Sequence, residues 1–117
     1  MSTTDENALF KTINDDFAVA GQLGPEQIPM IAGAGFKTLI CNRPDGEAPA
    51  EPQFDAVSQA AGAAGLEARY IPVSNQVGLT PENVAEMKAA LSELPGPILA
   101  YCRSGARSAK LYEIATS

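Results

Sequence analysis

The sequence predicts an α/β protein whose mostly parallel central sheet of four to five strands carries helices on both faces. Three observations predict it. Strand-type and helix-type segments alternate along the chain, which is the pattern of βαβ units. The strand segments, such as "LICN" and "ILAYC", are continuous apolar runs, as strands covered on both faces are. At 117 residues there is material for one buried core but not two.

In chain order, "FAVAGQL" (17–23) reads as a short strand with a turn. "PEQIPMIAGAG" (25–35) reads as a helix with Pro25 at its first position and a glycine stop. Pro29 within it requires an irregular first turn or a later start. "FKTLICNR" (36–43) is a β-branched, apolar strand ending in the turn residues "PDGE". "PQFDAVSQAAGAAG" (52–65) places Phe54, Val57 and Ala61 at helical spacing. "LEARYIPV" (66–73) is a strand followed by the loop "SNQVGL". "TPENVAEMKAALSEL" (80–94) has Thr80 as N-cap, Pro81 first, and Val84, Met87, Ala90, Leu91 and Leu94 on one face. "PGP" stops it, "ILAYC" (98–102) is a buried strand, and "SAKLYEIATS" (108–117) is a closing helix. Residues 1–12 are expected to be a flexible N-terminus and 13–117 a single domain.

Composition narrows the function. A net charge of −6 argues against nucleic acid and anionic membranes as main partners. No apolar run approaches membrane-spanning length, the polar acidic start does not read as a signal peptide, and two cysteines are too few for a disulfide scaffold. A cytoplasmic setting is the expectation. The absence of histidine removes the commonest zinc ligand and the commonest general base, so neither a metal nor another cofactor is expected.

The chemistry is expected in "ILAYCRSGARS" (98–108). Cys102 stands at the carboxyl end of a strand, where open α/β sheets bind ligands, with a helix expected to begin just after Arg107. Between them Arg103, Ser104, Gly105 and Ala106 make a small-residue loop whose N–H groups can curl toward one centre. Such a ring together with a helix N-terminus is an anion site, and a thiol at its centre is held as the thiolate. Arg107 can grip an oxyanion in two-point contact, and Ser108 can offer its hydroxyl to the sulfur. Cys102 and Arg107 are therefore the candidate catalytic pair, with residues 103–106 and Ser108 binding a small anionic substrate.

The loop "CRSGARS" resembles the active-site loop shared in outline by protein tyrosine phosphatases and rhodanese-type sulfurtransferases. The wider pattern "GQL…AGFKTLICNRPDGE…AAGLEARYIPV…GPILAYCRSGARS" is similar to the phosphatase-like domain of the beta-lactamase hydrolase-like protein family. The resemblance implies a protein tyrosine phosphatase-like fold. It also implies phosphatase or sulfurtransferase chemistry, the latter with a partner domain or protein of persulfide metabolism.

Two departures bear on that choice. Tyrosine phosphatases have five residues between cysteine and arginine and usually a histidine before the cysteine; here four residues separate Cys102 from Arg107, and Tyr101 precedes the cysteine. Four is the sulfurtransferase length. The loop Ser74 to Thr80 carries no acid to protonate a leaving group, leaving Asp45 and Glu47 of "NRPDGE" as the acids that could fold over the site. On these grounds the expectation is a sulfurtransferase working through a Cys102 persulfide. The first alternative is a tyrosine or dual-specificity phosphatase-like hydrolase working through a Cys102 phosphocysteine, and the second is a redox-sensing thiol module without turnover.

Plainer readings accompany these. A cysteine at a strand end is on its own a small buried hydrophobe, and Arg103 is a solvated rim charge. Arg43 either shapes the turn with Pro44 or points into the site. Cys41 is a core thiol, able to form a disulfide with Cys102 only if their strands are neighbours, and Tyr70 is a core residue.

Overall fold

In the structure, a computed structural model describing residues 10–47 and 52–117, five strands build one sheet. They are β1 (Lys11–Asn14), β2 (Phe17–Ala20), β3 (Thr38–Cys41), β4 (Glu67–Tyr70) and β5 (Ile98–Tyr101), in the spatial order β1-β2-β5-β3-β4. Strands β2, β5, β3 and β4 run parallel, and β1 pairs antiparallel at the edge. The helices are α1 (Ile28–Gly33), α2 (Phe54–Ala63), α3 (Pro81–Glu93) and α4 (Ala106–Ala115).

Both faces of the sheet are covered, which is why its central strands read as runs rather than alternations. On one face Ala18, Ala20, Leu39, Cys41, Leu99 and Tyr101 pack against Ile28 and Ile31 of α1 and Val57 and Ala61 of α2. On the other, Phe17, Val19, Ile40, Ile98 and Ala100 meet Met87 and Ala90 of α3 and Leu111 and Ala115 of α4. Each such large side chain contributes roughly 1.5–3 kcal/mol by burial, so the core is centred on β5 and its two neighbours.

That topology positions the site. The chain leaves β2 and β3 toward the α1/α2 face, but leaves β5 toward the α3/α4 face. Connections departing in opposite directions open a crevice at the carboxyl end of β5. Cys102 follows β5 directly.

Several element boundaries depart from expectation, each for a local reason. Strand β1 lies partly within the stretch expected to be flexible; all four of its side chains are exposed, so no apolar period marks it, and pairing with β2 holds it. Residues 1–9 of that stretch lie outside the described residues. Pro29 falls in the first turn of α1 behind a 3₁₀ turn at Pro25–Gln27, the irregular start its ring requires. The closing helix begins at Ala106 rather than Ser108, because Gly105, at φ 93°, turns the chain into it early. Arg107 therefore sits inside the first helical turn, not ahead of the helix. Helix α3 matches its signals: Thr80 Oγ1 accepts the Asn83 N–H and Asn83 Oδ1 accepts the Thr80 N–H, both at 3.1 Å. Among the described residues no helix is long and apolar enough to cross a membrane.

Candidate active site

The loop after β5 is stitched to the end of β2. The Cys102 N–H donates to the Ala20 carbonyl at 3.2 Å, and the Gln22 N–H donates to the Arg103 carbonyl at 3.2 Å. Glycine stands on both sides of this seam, favoured at 21 by close approach and at 105 by a left-handed backbone. A Cβ on Gly21 would lie 3.1 Å from the Arg103 oxygen, and one on Gly105 would lie 3.4 Å from the Ala20 oxygen. Gly105 also needs its left-handed backbone to aim its N–H at Cys102 Sγ, 3.1 Å away.

Cys102 is 1% exposed, and burial pushes its thiol pKa up. The backbone N–H groups of Ser108, Ser104, Arg107 and Gly105 outweigh that burial and bring it below the ordinary cysteine value. The thiol is thus acidified by the loop and the first turn of α4, without histidine. Ser108 acts here through its N–H, not its hydroxyl as expected; the Oγ is buried and has no hydrogen-bond partner among the described residues. Arg103 is exposed, the rim position expected for it. Ser104 is exposed too, its Oγ accepting the Ala106 N–H at 3.4 Å.

Arg107 reaches across the loop to two other segments. Its Nη1 donates to Glu47 Oε2 at 2.8 Å and to the Val73 carbonyl at 2.7 Å, and its Nη2 donates to Glu47 Oε1 at 2.8 Å. A guanidinium has five N–H donors. Both of those on Nη1 and one on Nη2 are used, so the Nε–H and the second Nη2–H remain side by side on one edge. Cys102 is among the groups that raise the Arg107 pKa, after the Glu47 hydrogen bond and against desolvation. The guanidinium also shares a side-chain hydrogen bond with Cys102, so the edge that Glu47 and Val73 leave is a fork beside the thiol, suited to a tetrahedral oxyanion.

The two carboxylates expected as acids are committed elsewhere. Glu47 Oε1 also accepts the Arg43 Nε–H at 2.8 Å. Between two guanidiniums, with the Arg107 hydrogen bond the largest influence, its pKa falls to about 2, so at neutral pH it has no proton to give. Asp45 Oδ1 accepts the Phe54 N–H at 2.7 Å, satisfying the start of α2, while the Asp45 N–H donates to the Tyr70 hydroxyl at 2.9 Å. Tyr70 is half-buried and stacks on Phe54, its ring centroid 5.0 Å away. The turn residues are a scaffold for Arg107 and α2, not an acid lid.

Arg43 is buried, and its Nη1 donates to Gln22 Oε1 at 2.9 Å. Through its Nε–H it also backs Glu47. Gln22 and the Val73 carbonyl were absent from the expected site. The only sequence signal for Gln22 is its position, a polar side chain just past an apolar strand at the edge that carries Cys102. Cys41, the last residue of β3, does have β5 as its neighbour. Its Sγ donates to the Arg43 carbonyl at 3.3 Å, it packs on the α1/α2 face with Tyr101, and burial pushes its pKa up. Both thiols are free.

With this geometry the chain can be compared with known proteins. The family model for the phosphatase-like domain of the beta-lactamase hydrolase-like protein matches residues 9–117. The beta-lactamase hydrolase-like protein of Agrobacterium fabrum is 37% identical over 100 residues, which are 86% of this chain and 23% of that protein. The chain thus spans about a quarter of the length of that relative. A crystal structure of a candidate phosphatase from Neisseria meningitidis superposes with a TM-score of 0.81 at 29% identity, covering 90% of this chain and 74% of that one. The active form of Tk-PTP shares the fold, with a TM-score of 0.62 at 18% identity over 83% of this chain and 63% of that one. The chain belongs to the family defined by the phosphatase-like domain of the beta-lactamase hydrolase-like protein.

Proposed function

We propose that the protein is a cysteine-dependent phosphatase-type hydrolase acting on small phosphate esters through a Cys102 phosphocysteine. The observation that carries the reading is the acidified Cys102 thiol in its loop of N–H groups together with the Nε/Nη2 edge of Arg107 that Glu47 and Val73 leave beside it. The thiolate attacks phosphorus, the bond from phosphorus to the leaving oxygen breaks, and that oxygen departs with the electron pair. Water then attacks phosphorus, the S–P bond breaks, and phosphate and the thiolate are released. Loop N–H groups and the Arg107 fork stabilise the equatorial oxygens in both steps. Membership of a phosphatase-like family and the likeness to a candidate phosphatase support this reading.

With Glu47 ionised, Asp45 capping α2 and no histidine in the chain, the best substrates are those whose leaving oxygen is stable as an anion, such as aryl phosphates and phosphoanhydrides. General acid catalysis ordinarily contributes about 10²–10⁴-fold, so alkyl phosphates should be poorer by a similar factor.

Sulfur transfer, the expectation from loop length, keeps one supporting observation: the four residues between Cys102 and Arg107. The comparisons give it no support. A side-by-side assay of wild type and Cys102→Ser, with an aryl phosphate and with thiosulfate, separates the two. Cys102-dependent release of phosphate supports the hydrolase. Sulfur uptake on Cys102 without phosphate release supports the transferase, and oxidation of Cys102 with neither turnover supports a redox sensor.

A further inference from the structure

We propose that Arg43 is a positioning residue of the Cys102 site: acting through Glu47, it holds the Arg107 guanidinium with its free edge turned to the oxyanion. This rests on the hydrolase reading for its assay but on the contacts alone for its logic. Glu47 Oε1 is shared, accepting Arg43 Nε–H and Arg107 Nη2–H at 2.8 Å each. Arg43 is in turn anchored by Gln22, whose own N–H holds the Arg103 carbonyl. The contacts therefore leave the Cys102 loop at Arg103, pass through Gln22, Arg43 and Glu47, and return to the loop at Arg107.

A closed ring of this kind sets an orientation that no single member can. Glu47 lies at the end of a turn, and a carboxylate there with one partner has several rotamers open to it. The Arg107 fork and the Arg43 Nε–H meeting on one carboxylate leave it one position. That position decides which Arg107 edge is used up and which stays open. Arg43, Arg107 and Glu47 also sum to one positive charge beside the thiol, favourable to an anionic substrate. Arg43 is buried and holds Glu47 and Gln22, so it acts through these contacts.

The test uses Arg43→Met, Arg43→Lys, Glu47→Gln and the double variant Arg43→Met/Glu47→Gln. Two readouts are measured: kcat/KM on an aryl phosphate, and protection of Cys102 from iodoacetamide by inorganic phosphate. Arg43→Met should lower kcat/KM by about ten- to hundred-fold, the scale of a misplaced binding group, and weaken phosphate protection in parallel. The pH midpoint of Cys102 alkylation should stay near wild type, because loop N–H groups set it. Arg43→Lys keeps the charge but cannot hold Glu47 and Gln22 together from a planar guanidinium, and should fall close to Arg43→Met. The double variant should be no worse than Glu47→Gln alone if Arg43 acts on Arg107 through the shared Glu47 carboxylate. Multiplicative losses in the double variant, or full rescue by lysine, overturn the positioning role. If Arg43→Met does not fold, Arg43→Lys and the unchanged or lost protection carry the same decision. Wild type protected by phosphate yet inactive on phosphate esters rejects the hydrolase reading while protection still reports on Arg43. Wild type with no protection rejects both.

Discussion

Cys41 and Cys102 stand at the carboxyl ends of adjacent parallel strands, nearly equally buried at 3% and 1% exposure, yet their thiols are driven in opposite directions. Burial raises both. At the end of β3 burial prevails: hydrogen bonds with Tyr101 and the Arg43 backbone lower the Cys41 pKa but do not offset it. Beyond β5 the chain turns at once through Gly105 into α4 and offers Cys102 N–H groups, donors that favour the anion. The depth of a cysteine says little about its reactivity; whether the following loop aims enough N–H donors at the sulfur to outweigh burial says most.

The largest effect should separate these two residues by substitution. Cys102→Ser should lose at least ~10³-fold in turnover, whereas Cys41→Ser, which leaves the loop N–H groups on Cys102 in place, should remain within about threefold of wild type. Equal losses would mean that the two strand ends are not chemically distinct. Next, Arg107→Lys should lower kcat/KM by roughly 10²–10³-fold, since lysine keeps the charge but cannot hold Glu47 and the Val73 carbonyl while presenting a fork. Activity close to wild type would place the oxyanion contact elsewhere.

The contrast can also be read directly by alkylation. Iodoacetamide should label Cys102 with a midpoint below the ~8.5 of free cysteine, and should label Cys41 only after denaturation. Peptide mass mapping across pH distinguishes them, and native labelling of Cys41 first would reverse the assignment. A smaller effect is expected from Gly105→Ala. It forces an L residue to φ 93° with its Cβ 3.4 Å from the Ala20 oxygen, costing about 1–2 kcal/mol. The melting temperature should fall and the Cys102 midpoint should rise. An unchanged midpoint would show that the Gly105 N–H does not hold the thiolate.

The smallest effect concerns acid. Glu47 has its pKa lowered from 4.5 to about 2, so its stabilising contribution is complete above pH 4.5 and is lost as pH falls toward 2. The stability advantage of wild type over Glu47→Gln, measured by urea unfolding, should therefore be flat near neutrality and shrink over that acidic window. An advantage that grows on acidification would mean that the carboxylate is not paired as described.

How far the sequence reached depended on whether a feature was local. Helix α3 was legible to within a residue, because Thr80, Pro81 and Asn83 carry its start in their own side chains. Cys102, Arg107 and the glycine between them were legible for the same reason, being neighbours in the chain. Strand β1 was not, since an exposed edge strand owes its existence to a partner rather than to its own pattern. The residues of "RPDGE" were recognised as belonging near the site, but their partners were not: Glu47 pairs with Arg43 and Arg107, and Asp45 accepts the Phe54 N–H. A carboxylate on a loop looks like a candidate acid until the arginines that strip its proton are in view.

By itself the sequence determined the α/β class, the strand that ends in Cys102 and the donor-rich turn behind it, because apolar runs, caps and glycine act within a few residues of themselves. Only the tertiary structure decided that β5 would lie between β2 and β3, so that loops from residues 22, 43–47 and 73 converge on Arg107. That decision turns Glu47 from an acid into an orienting anion, and it sets Cys41 beside Cys102 without making the two alike. The reason is that charge pairing and hydrogen bonding depend on distance in space, and the partners concerned lie up to 60 positions apart in the chain.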